Sequence, residues 1–515
     1  MVGKRLFKAT VVVSSMTLIS RLLGFVRDML IARLFGVDLA TDAFFVAFKI
    51  PNLLRRLFTE GAFAHALVPV MANHQRERLA LKQFIGKTVG TLAAWTLLIT
   101  LAAMVVAPLL ILVLAPGFAW QGSQYELAVT LLRIMLPFGL CIVLVAFAGA
   151  VLNAHEHYAI PALTPIILNI SMIATALWLA PLMNISIMAL AWGVFAAGIV
   201  QILFQVPSLI RLDLFPKLTI RLKDPDVSLV IKRLLPAIFS ASVTQINLLL
   251  DTLVASFLVS GSVSWLYYSD RLVEFPLGIL GVGLATVILP NLTNHHAIDD
   301  TTAFSATLDW GLRLVVLVGM PATIGLFVLA EPMLSTLFQY NEFTINDVHK
   351  AGQSLKAYSV GLLGYLFIKI LVPGFTSRHD LKTPVRYGMI AMITSLALNV
   401  LVIPLAHAGL ALATSLGALL NAALLLKRLV QDKAYQPGLG WLLFLGRVTL
   451  ASAVMTVCLC YFIEDSWWDQ WQSVDRISNL LKWISIGCIV YVLTLTLSGL
   501  RLRHLTGTSD KIASF

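Results

Sequence analysis

The sequence predicts an all-α, polytopic membrane protein with about fourteen transmembrane helices, and three observations lead to this fold class. Of the 515 residues, 59% are hydrophobic and only 12% are charged, whereas soluble globular chains are about 45–50% apolar and about 25% charged. The apolar residues fall in stretches of roughly 20, the length that spans a bilayer as a helix. Short linkers separate most of these stretches, which leaves no room for a large soluble domain.

The first predicted helix could be mistaken for a signal peptide, because Lys4, Arg5 and Lys8 precede its apolar run. The run contains Arg21 and Arg27, however, and no small-residue cleavage site follows it, so we interpret it as an uncleaved span. The predicted spans are centred near Leu18, Ala47, Trp95, Val143, Met172, Phe195, Leu248, Leu280, Val316, Gly364, Leu396, Leu416, Val454 and Val490.

The distribution of charge between loops predicts that both termini are cytoplasmic. The segments Pro116–Glu126, Gln339–Asp347 and Glu464–Asp475 contain no Lys or Arg, whereas the loops that alternate with them are rich in both. Cytoplasmic loops carry such an excess of basic residues, and they lie against anionic headgroups. The net charge of +11 therefore needs no nucleic-acid partner.

The two halves of the chain contain similar segments in the same order. The segment Val68–His74 resembles Leu289–His295. Repeats of this kind are common in secondary transporters, in which the substrate site lies at the interface between the halves. Duplication in a membrane protein that transports nothing is the alternative. Two further matched pairs are Asp28 with Asp251 and Asn169 with Asn399.

Ionisable residues inside the apolar helices are the most informative feature of the sequence. An Arg at a helix centre costs roughly 2.5–3.5 kcal/mol on insertion scales. Such residues are tolerated where they face a water-filled cavity or an acidic partner. The residues of this kind are Arg21, Arg27, Asp28, Asp42, Lys49, Arg55, Arg56, Glu60, Asp251, Asp270, Arg271, Glu274 and Lys369.

Pairing within a helix explains some of these charges but not all. Arg271 and Glu274 are three residues apart and could form a structural salt bridge. Arg27 and Arg55 have no obvious local acid, because Arg27 and the adjacent Asp28 are expected to point apart. We interpret the cations as lining a shared cavity between the halves. Arg grips phosphate oxygens bidentately, so such a cavity suits a pyrophosphate.

The repeat divides the chain into three predicted parts. Residues 1–215 and 216–435 are expected to form two lobes of six helices each, and residues 436–515 two further helices with a cytoplasmic tail. A long lipid tail cannot enter a cationic chamber, so we expect the two further helices to line an apolar groove for it. The alternative is that they stabilise the fold or bind a partner.

Three long motifs also resemble a known family. They are Ser20–Asp28 (SRLLGFVRD), Ala40–Arg56 (ATDAFFVAFKIPNLLRR) and Gly261–Pro276 (GSVSWLYYSDRLVEFP). The chain resembles the MurJ (MviN) lipid II flippases of the MOP exporter superfamily over nearly its whole length. The resemblance implies a MATE-like fold with two six-helix lobes and two extra C-terminal helices.

The resemblance also implies a transporter of the bacterial inner membrane and not an enzyme. It implies that lipid II, the undecaprenyl-pyrophosphate-linked peptidoglycan precursor, moves from the cytoplasmic to the periplasmic leaflet. Membrane lipids and cell-wall synthesis proteins are the other implied partners. The substrate-binding residues that it implies are Arg21, Arg27, Arg55, Arg271, Asp42 and Glu274. The ion-pair or gate candidates are Asp28, Arg56, Glu60 and Asp270.

No cofactor is expected, but transport must be driven. Some members of the family are thought to bind sodium in the second half, and Asp251 and Asn399 are the candidates here. A proton or the membrane potential is the alternative, since moving one charge through 100 mV is worth about 2.3 kcal/mol.

Three other functions remain as alternatives. A multidrug or toxic-cation antiporter of the same fold would need an acidic cavity. A membrane glycosyltransferase would need an outer loop with a base and an acidic metal motif, whereas the outer loops are short and show no obvious DxD. A scaffold for cell-wall enzymes would not explain the charged interior.

Overall fold

A computed structural model of the chain is all-α, which confirms the predicted fold class. The structure describes residues 2–500 except 60–61, 75–76, 121, 222, 244, 464–467 and 469–470, so Glu60 and the tail 501–515 lie outside the described residues. Within the described part, ten helices are long and apolar enough to cross a membrane. The many-span architecture is therefore confirmed, and the total of about fourteen spans stays a prediction.

The helices are, in chain order, α1 (Val2–Phe35), α2 (Leu39–Thr59), α3 (Ala62–Ala72), α4 (Arg78–Val105), α5 (Ala107–Leu114), α6 (Gly122–Met135), α7 (Pro137–Ala154), α8 (Ala159–Ala174), α9 (Met188–Arg211), α10 (Pro225–Val243), α11 (Ile246–Ala255), α12 (Ser262–Pro276), α13 (Val282–Ala297), α14 (Thr301–Val328), α15 (Ala330–Phe338), α16 (Ile345–Thr376), α17 (Lys382–Leu401), α18 (Ala406–Gln431), α19 (Trp441–Phe462) and α20 (Ser473–Leu497).

The chain divides into two compact units, residues 1–264 and 265–515. In the first unit α7 packs against α2, α4 and α9, and α1 packs along α8. Phe63, Phe84, Phe147 and Val230 belong to one buried cluster that joins α3, α4, α7 and α10. The two compact units are defined by contacts within the structure and not by the sequence repeat. They therefore do not test the predicted lobe boundaries at residues 215 and 435, which stay predictions.

In the second unit α16 packs against α14 and α18, and α19 pairs with α20 and packs on α14. Phe444, Val448 and Tyr491 belong to the buried cluster that holds α19 and α20 in place. The outer faces of these two helices carry strongly exposed apolar side chains such as Leu442 and Leu497. Such faces suit contact with lipid, while the predicted tail groove stays a prediction.

A buried polar cluster fixes the start of α19. The Asp309 carboxylate on α14 accepts hydrogen bonds from Arg313 Nε at 2.7 Å, from Tyr435 Oη at 2.7 Å and from Trp441 Nε1 at 2.7 Å. Arg313 Nη2 donates to the carbonyl of Leu439 at 2.9 Å. Burial and the Asp309 carboxylate raise the pKa of Tyr435 well above its usual range, so the phenol remains a donor.

An extended linker segment, residues 215–221, connects α9 towards α10 and lies along α4. Thr219 N donates to the carbonyl of Gly86 at 3.2 Å, and Arg221 N donates to Thr91 Oγ1 at 3.0 Å. The linker approaches so closely that a Cβ added to Gly86 would lie 2.4 Å from the carbonyl oxygen of Lys217. A glycine is therefore required where the linker crosses the helix.

Candidate functional site

Arg27 is held in a buried cluster of the first unit. It is 7% exposed, and its Nε and Nη2 donate to Asp28 Oδ1 at 2.9 and 2.6 Å. Its Nη1 donates to Asn169 Oδ1 on α8 at 3.0 Å, and Asn169 Nδ2 donates to the carbonyl of Ser20 at 2.9 Å. The expectation that Arg27 and Asp28 point apart is wrong, because the long arginine side chain folds back over its own helix and α8 holds it there.

The other predicted arginines of the first unit lie on α1 and α2, in more open surroundings than Arg27. Arg21 is exposed on α1. On α2, Arg55 is half-buried and donates to Asn52 Oδ1 from Nε at 3.2 Å and from Nη2 at 2.9 Å. Arg56 Nη1 donates to Gln245 Oε1 at 3.3 Å. The amide side chains of Asn52 and Gln245 therefore help to orient the two guanidinium groups of α2.

Asp42 lies at the N-terminus of α12 and caps that helix. It is 1% exposed. Its Oδ2 accepts from Gly261 N at 2.7 Å, and its Oδ1 accepts from Ser264 N at 2.9 Å and from Ser264 Oγ at 2.6 Å. Gly261 has φ +93°, a conformation that favours glycine.

A carboxylate at this place satisfies amides that a helix start leaves without partners and complements the positive end of the helix dipole. The geometry therefore gives Asp42 a positioning role between α2 and α12. Its role in substrate binding stays a prediction.

Arg271 lies on α12 with the partner that its spacing indicated. Its Nη1 donates to Glu274 Oε2 at 2.6 Å, and its Nη2 donates to Tyr267 Oη at 3.0 Å. The guanidinium carbon lies 4.7 Å from the centre of the Tyr267 ring, in the range of a cation–π contact. The Arg271 side chain remains 23% exposed and that of Glu274 39%, so the pair keeps surface that a ligand could reach.

The remaining predicted residues are more scattered. Asp251 on α11 and Asp270 on α12 are half-buried. Asn399 on α17 is buried, and its Oδ1 has no hydrogen-bond partner in the part of the chain that the structure describes. An oxygen of this kind suits a hard cation. Among the described residues no group of three or more His, Cys, Asp or Glu could hold a metal ion, and the coupling-ion site stays a prediction.

Several partners were not among the predicted site residues, namely Asn169, Ser264, Tyr267 and Gln245. A signal existed for Asn169, which the repeat matches to Asn399. A local signal also existed for Tyr267, which lies four residues before Arg271 on the same helix. The contacts of Ser264 and Gln245 depend on how helices pack.

Comparisons with known proteins agree over nearly the whole chain. The family described as "Lipid II flippase MurJ" matches residues 31–481. The "Probable lipid II flippase MurJ" of Haemophilus influenzae is 44% identical over 95% of this chain and 99% of its own length. That of Vibrio cholerae is 42% identical over 99% of both chains. The "Lipid II flippase MurJ" of Burkholderia cenocepacia is 38% identical over 97% of this chain and 98% of its own.

Solved structures give the same result. The structure described as "Lipid II flippase MurJ, inward closed conformation" superposes with a TM-score of 0.80 at 26% identity, and the match covers 95% of this chain and 98% of that chain. A multidrug resistance MATE family transporter of the MOP superfamily in its inward-facing conformation gives a TM-score of 0.68 at 13% identity, with 82% of this chain and 98% of that chain covered. The second match shows the fold alone, and it confirms the predicted MATE-like fold.

Proposed function

Because the chain belongs to the family of MurJ lipid II flippases, we propose that it is a transporter that moves lipid II from the cytoplasmic to the periplasmic leaflet of the bacterial inner membrane. The observation that carries the proposal is the match to relatives named as lipid II flippases over 95–99% of this chain. The same matches cover 98–99% of the relatives' own length, so every long segment of those relatives has a counterpart here.

The arginine chemistry supports a diphosphate as the recognised group. Arg21, Arg55 and Arg271 sit on helices of a strongly apolar chain and retain exposed or half-exposed side chains. A guanidinium binds phosphate oxygens through two parallel hydrogen bonds. A cation in such a helix is costly unless it faces water or an anion. We propose that these side chains line a water-filled chamber that receives the pyrophosphate of lipid II.

In the proposed transport cycle the chamber opens first to the cytoplasm and then to the periplasm. The lipid tail follows the apolar faces of α19 and α20 while the headgroup crosses. Glu274 already holds Arg271 at 2.6 Å, so it is placed to compete with the pyrophosphate and promote its release. The Asp42 cap on α12 is a contact that would stabilise one end state.

The proposed cycle needs an energy source for its return step. An empty cationic chamber is attracted towards the negative cytoplasmic side, and one charge moved through 100 mV is worth about 2.3 kcal/mol. The buried oxygen of Asn399 supports a second possibility, a coupling cation in the second half of the chain. Transport assays with the potential and the sodium gradient varied separately would distinguish the two.

One contact supports the proposed orientation in the membrane. Arg476 Nη1, in the first turn of α20, donates to the carbonyls of Ser335 at 3.3 Å and Gln339 at 3.2 Å, at the end of α15. The segment Gln339–Asp347, which lacks Lys and Arg, therefore lies at the same end of the second unit as the start of α20. The positive-inside rule places both outside the cytoplasm.

A leaflet-accessibility assay tests the proposal directly. Depletion of the protein is expected to trap lipid II in the inner leaflet, and wild-type protein should restore its outer-leaflet exposure. Arg271→Ala should fail to restore it at normal protein level. Arg386→Ala is the matched control, because Arg386 is exposed near the start of α17. Unchanged exposure of lipid II on depletion would refute the proposed function.

A further inference from the structure

A cavity of about 530 Å³ lies in the second unit, where the segment after α15 meets the start of α20. Two segments line it, the first with Gln339, Tyr340 and Asn341 and the second with Trp471, Ser473 and Arg476. The proposed transport chamber uses none of these residues. The cavity has a volume in the usual range for sites that bind small molecules.

Arg476 is a buried cation in the lining of this cavity. It is 7% exposed. Its Nη1 donates only to the backbone carbonyls described above, and its buried Nε has no hydrogen-bond partner among the described residues. No carboxylate lies within ion-pair distance of it in the described part of the chain. A buried guanidinium without a counter-charge is unfavourable, so an anion bound in the cavity would relieve that cost.

The start of α20 adds a second attraction for an anion at the same place. The helix is 25 residues long, begins at Ser473 and has Gln472 as its N-cap in an extended conformation. The cap side chain makes no hydrogen bond to the first turn, so no side chain at that position satisfies the first amides. Helix starts of this kind bind carboxylate and phosphate groups.

The aromatic residues in the lining of the cavity suit a ring rather than a bare ion. Trp471 and Tyr340 both belong to this lining, and the Tyr340 hydroxyl donates to the carbonyl of Thr336 at 2.8 Å, which orients its ring. The amides of Gln339 and Asn341 lie beside them. Aromatic faces with nearby amides can pack on the C–H face of a sugar ring and hydrogen-bond its polar substituents.

We propose that this cavity is a binding site for an acidic sugar, with the carboxylate at Arg476 and the start of α20 and the pyranose ring against Trp471 and Tyr340. The site is separate from the residues assigned to transport, and the proposal does not depend on which lipid is moved. By the proposed orientation it opens on the periplasmic side.

Calorimetric titration of the purified full-length protein in nanodiscs tests this site. N-acetylmuramic acid and N-acetylglucosamine form a matched pair of probes, because the first carries an acidic lactyl ether that the second lacks. N-acetylmuramic acid should bind saturably, and N-acetylglucosamine roughly tenfold more weakly or not at all, as expected for loss of hydrogen bonds to a charged group. Equal affinities, or no binding of either sugar, would overturn the proposal.

Two variants and one control locate the site. Arg476→Gln should lower the affinity for N-acetylmuramic acid by roughly tenfold or more. Ser473→Asp keeps the helix start stable, because an acid is favourable there, yet it should repel the carboxylate and weaken binding similarly. Lys482→Gln on the exposed part of α20 should bind like the wild type. Wild-type affinity in a folded Ser473→Asp protein would refute the assigned place.

Discussion

Asp42→Asn tests whether a carboxylate on α2 determines the start of α12. The native side chain accepts three hydrogen bonds of 2.6–2.9 Å from Gly261 and Ser264. An asparagine has one oxygen and one NH₂ group, so at least one backbone amide would face a donor instead of an acceptor. Hydrogen bonds to charged groups contribute about 1.5–3 kcal/mol and neutral ones about 0.5–1.5 kcal/mol.

The loss of one such bond and the weakening of the others should cost about 2–4 kcal/mol, including the lost interaction with the helix dipole. Amide hydrogen exchange is the measurement, because it reports local opening of the first turn of α12. Protection of the Gly261 and Ser264 amides should fall roughly 30- to 1,000-fold. Glu342→Gln, at an exposed position, is the control and should change nothing there. Unchanged protection in Asp42→Asn would refute the capping role.

Three further substitutions address other contacts. Gly86→Ala should lower the free energy of unfolding by about 1–3 kcal/mol, because the new Cβ would meet the carbonyl oxygen of Lys217 at 2.4 Å; thermal unfolding measures it. Asp309→Asn should destabilise the second unit by about 3–5 kcal/mol, since it breaks the buried ion pair between Asp309 and Arg313; the same assay applies. Backbone hydrogen bonds at the start of α14 hold the pKa of Asp300 below its ordinary value. Its stabilisation of that helix start is therefore complete above about pH 4 and is lost as pH falls through the lowered pKa; Asp300→Asn should abolish this dependence in amide exchange.

Each of these three substitutions has a control variant or an outcome that would contradict it. Gly446 lies in α19 with open space around it, so Gly446→Ala should be neutral or slightly stabilising. Asp475→Asn, at an exposed position in the first turn of α20, should cost the second unit no more than about 1 kcal/mol, the contribution of an acid near a helix start. If Asp309→Asn unfolds no earlier than Asp475→Asn, the buried cluster does not stabilise the start of α19. A pH dependence that persists in Asp300→Asn would exclude that carboxylate as its source.

The sequence by itself determined the helical class, the many membrane spans and the family. Long apolar runs exclude other folds because a bilayer offers no partner for unpaired backbone groups. It also indicated the Arg271–Glu274 pair as one alternative, because residues three apart on a helix are neighbours whatever surrounds them. These are local properties, and they hold for any packing of the helices.

The tertiary structure decided which distant groups meet. Arg27 turns towards Asp28 because Asn169 of α8 holds its free end, and Asp42 caps α12, which lies far along the chain. Arg476 is buried by backbone from the end of α15. Such contacts depend on how helices cross, and a one-dimensional pattern of apolar and charged residues does not specify those crossings. Composition and spacing therefore predicted which side chains carry charge inside the membrane, and only the packing showed what holds each of them.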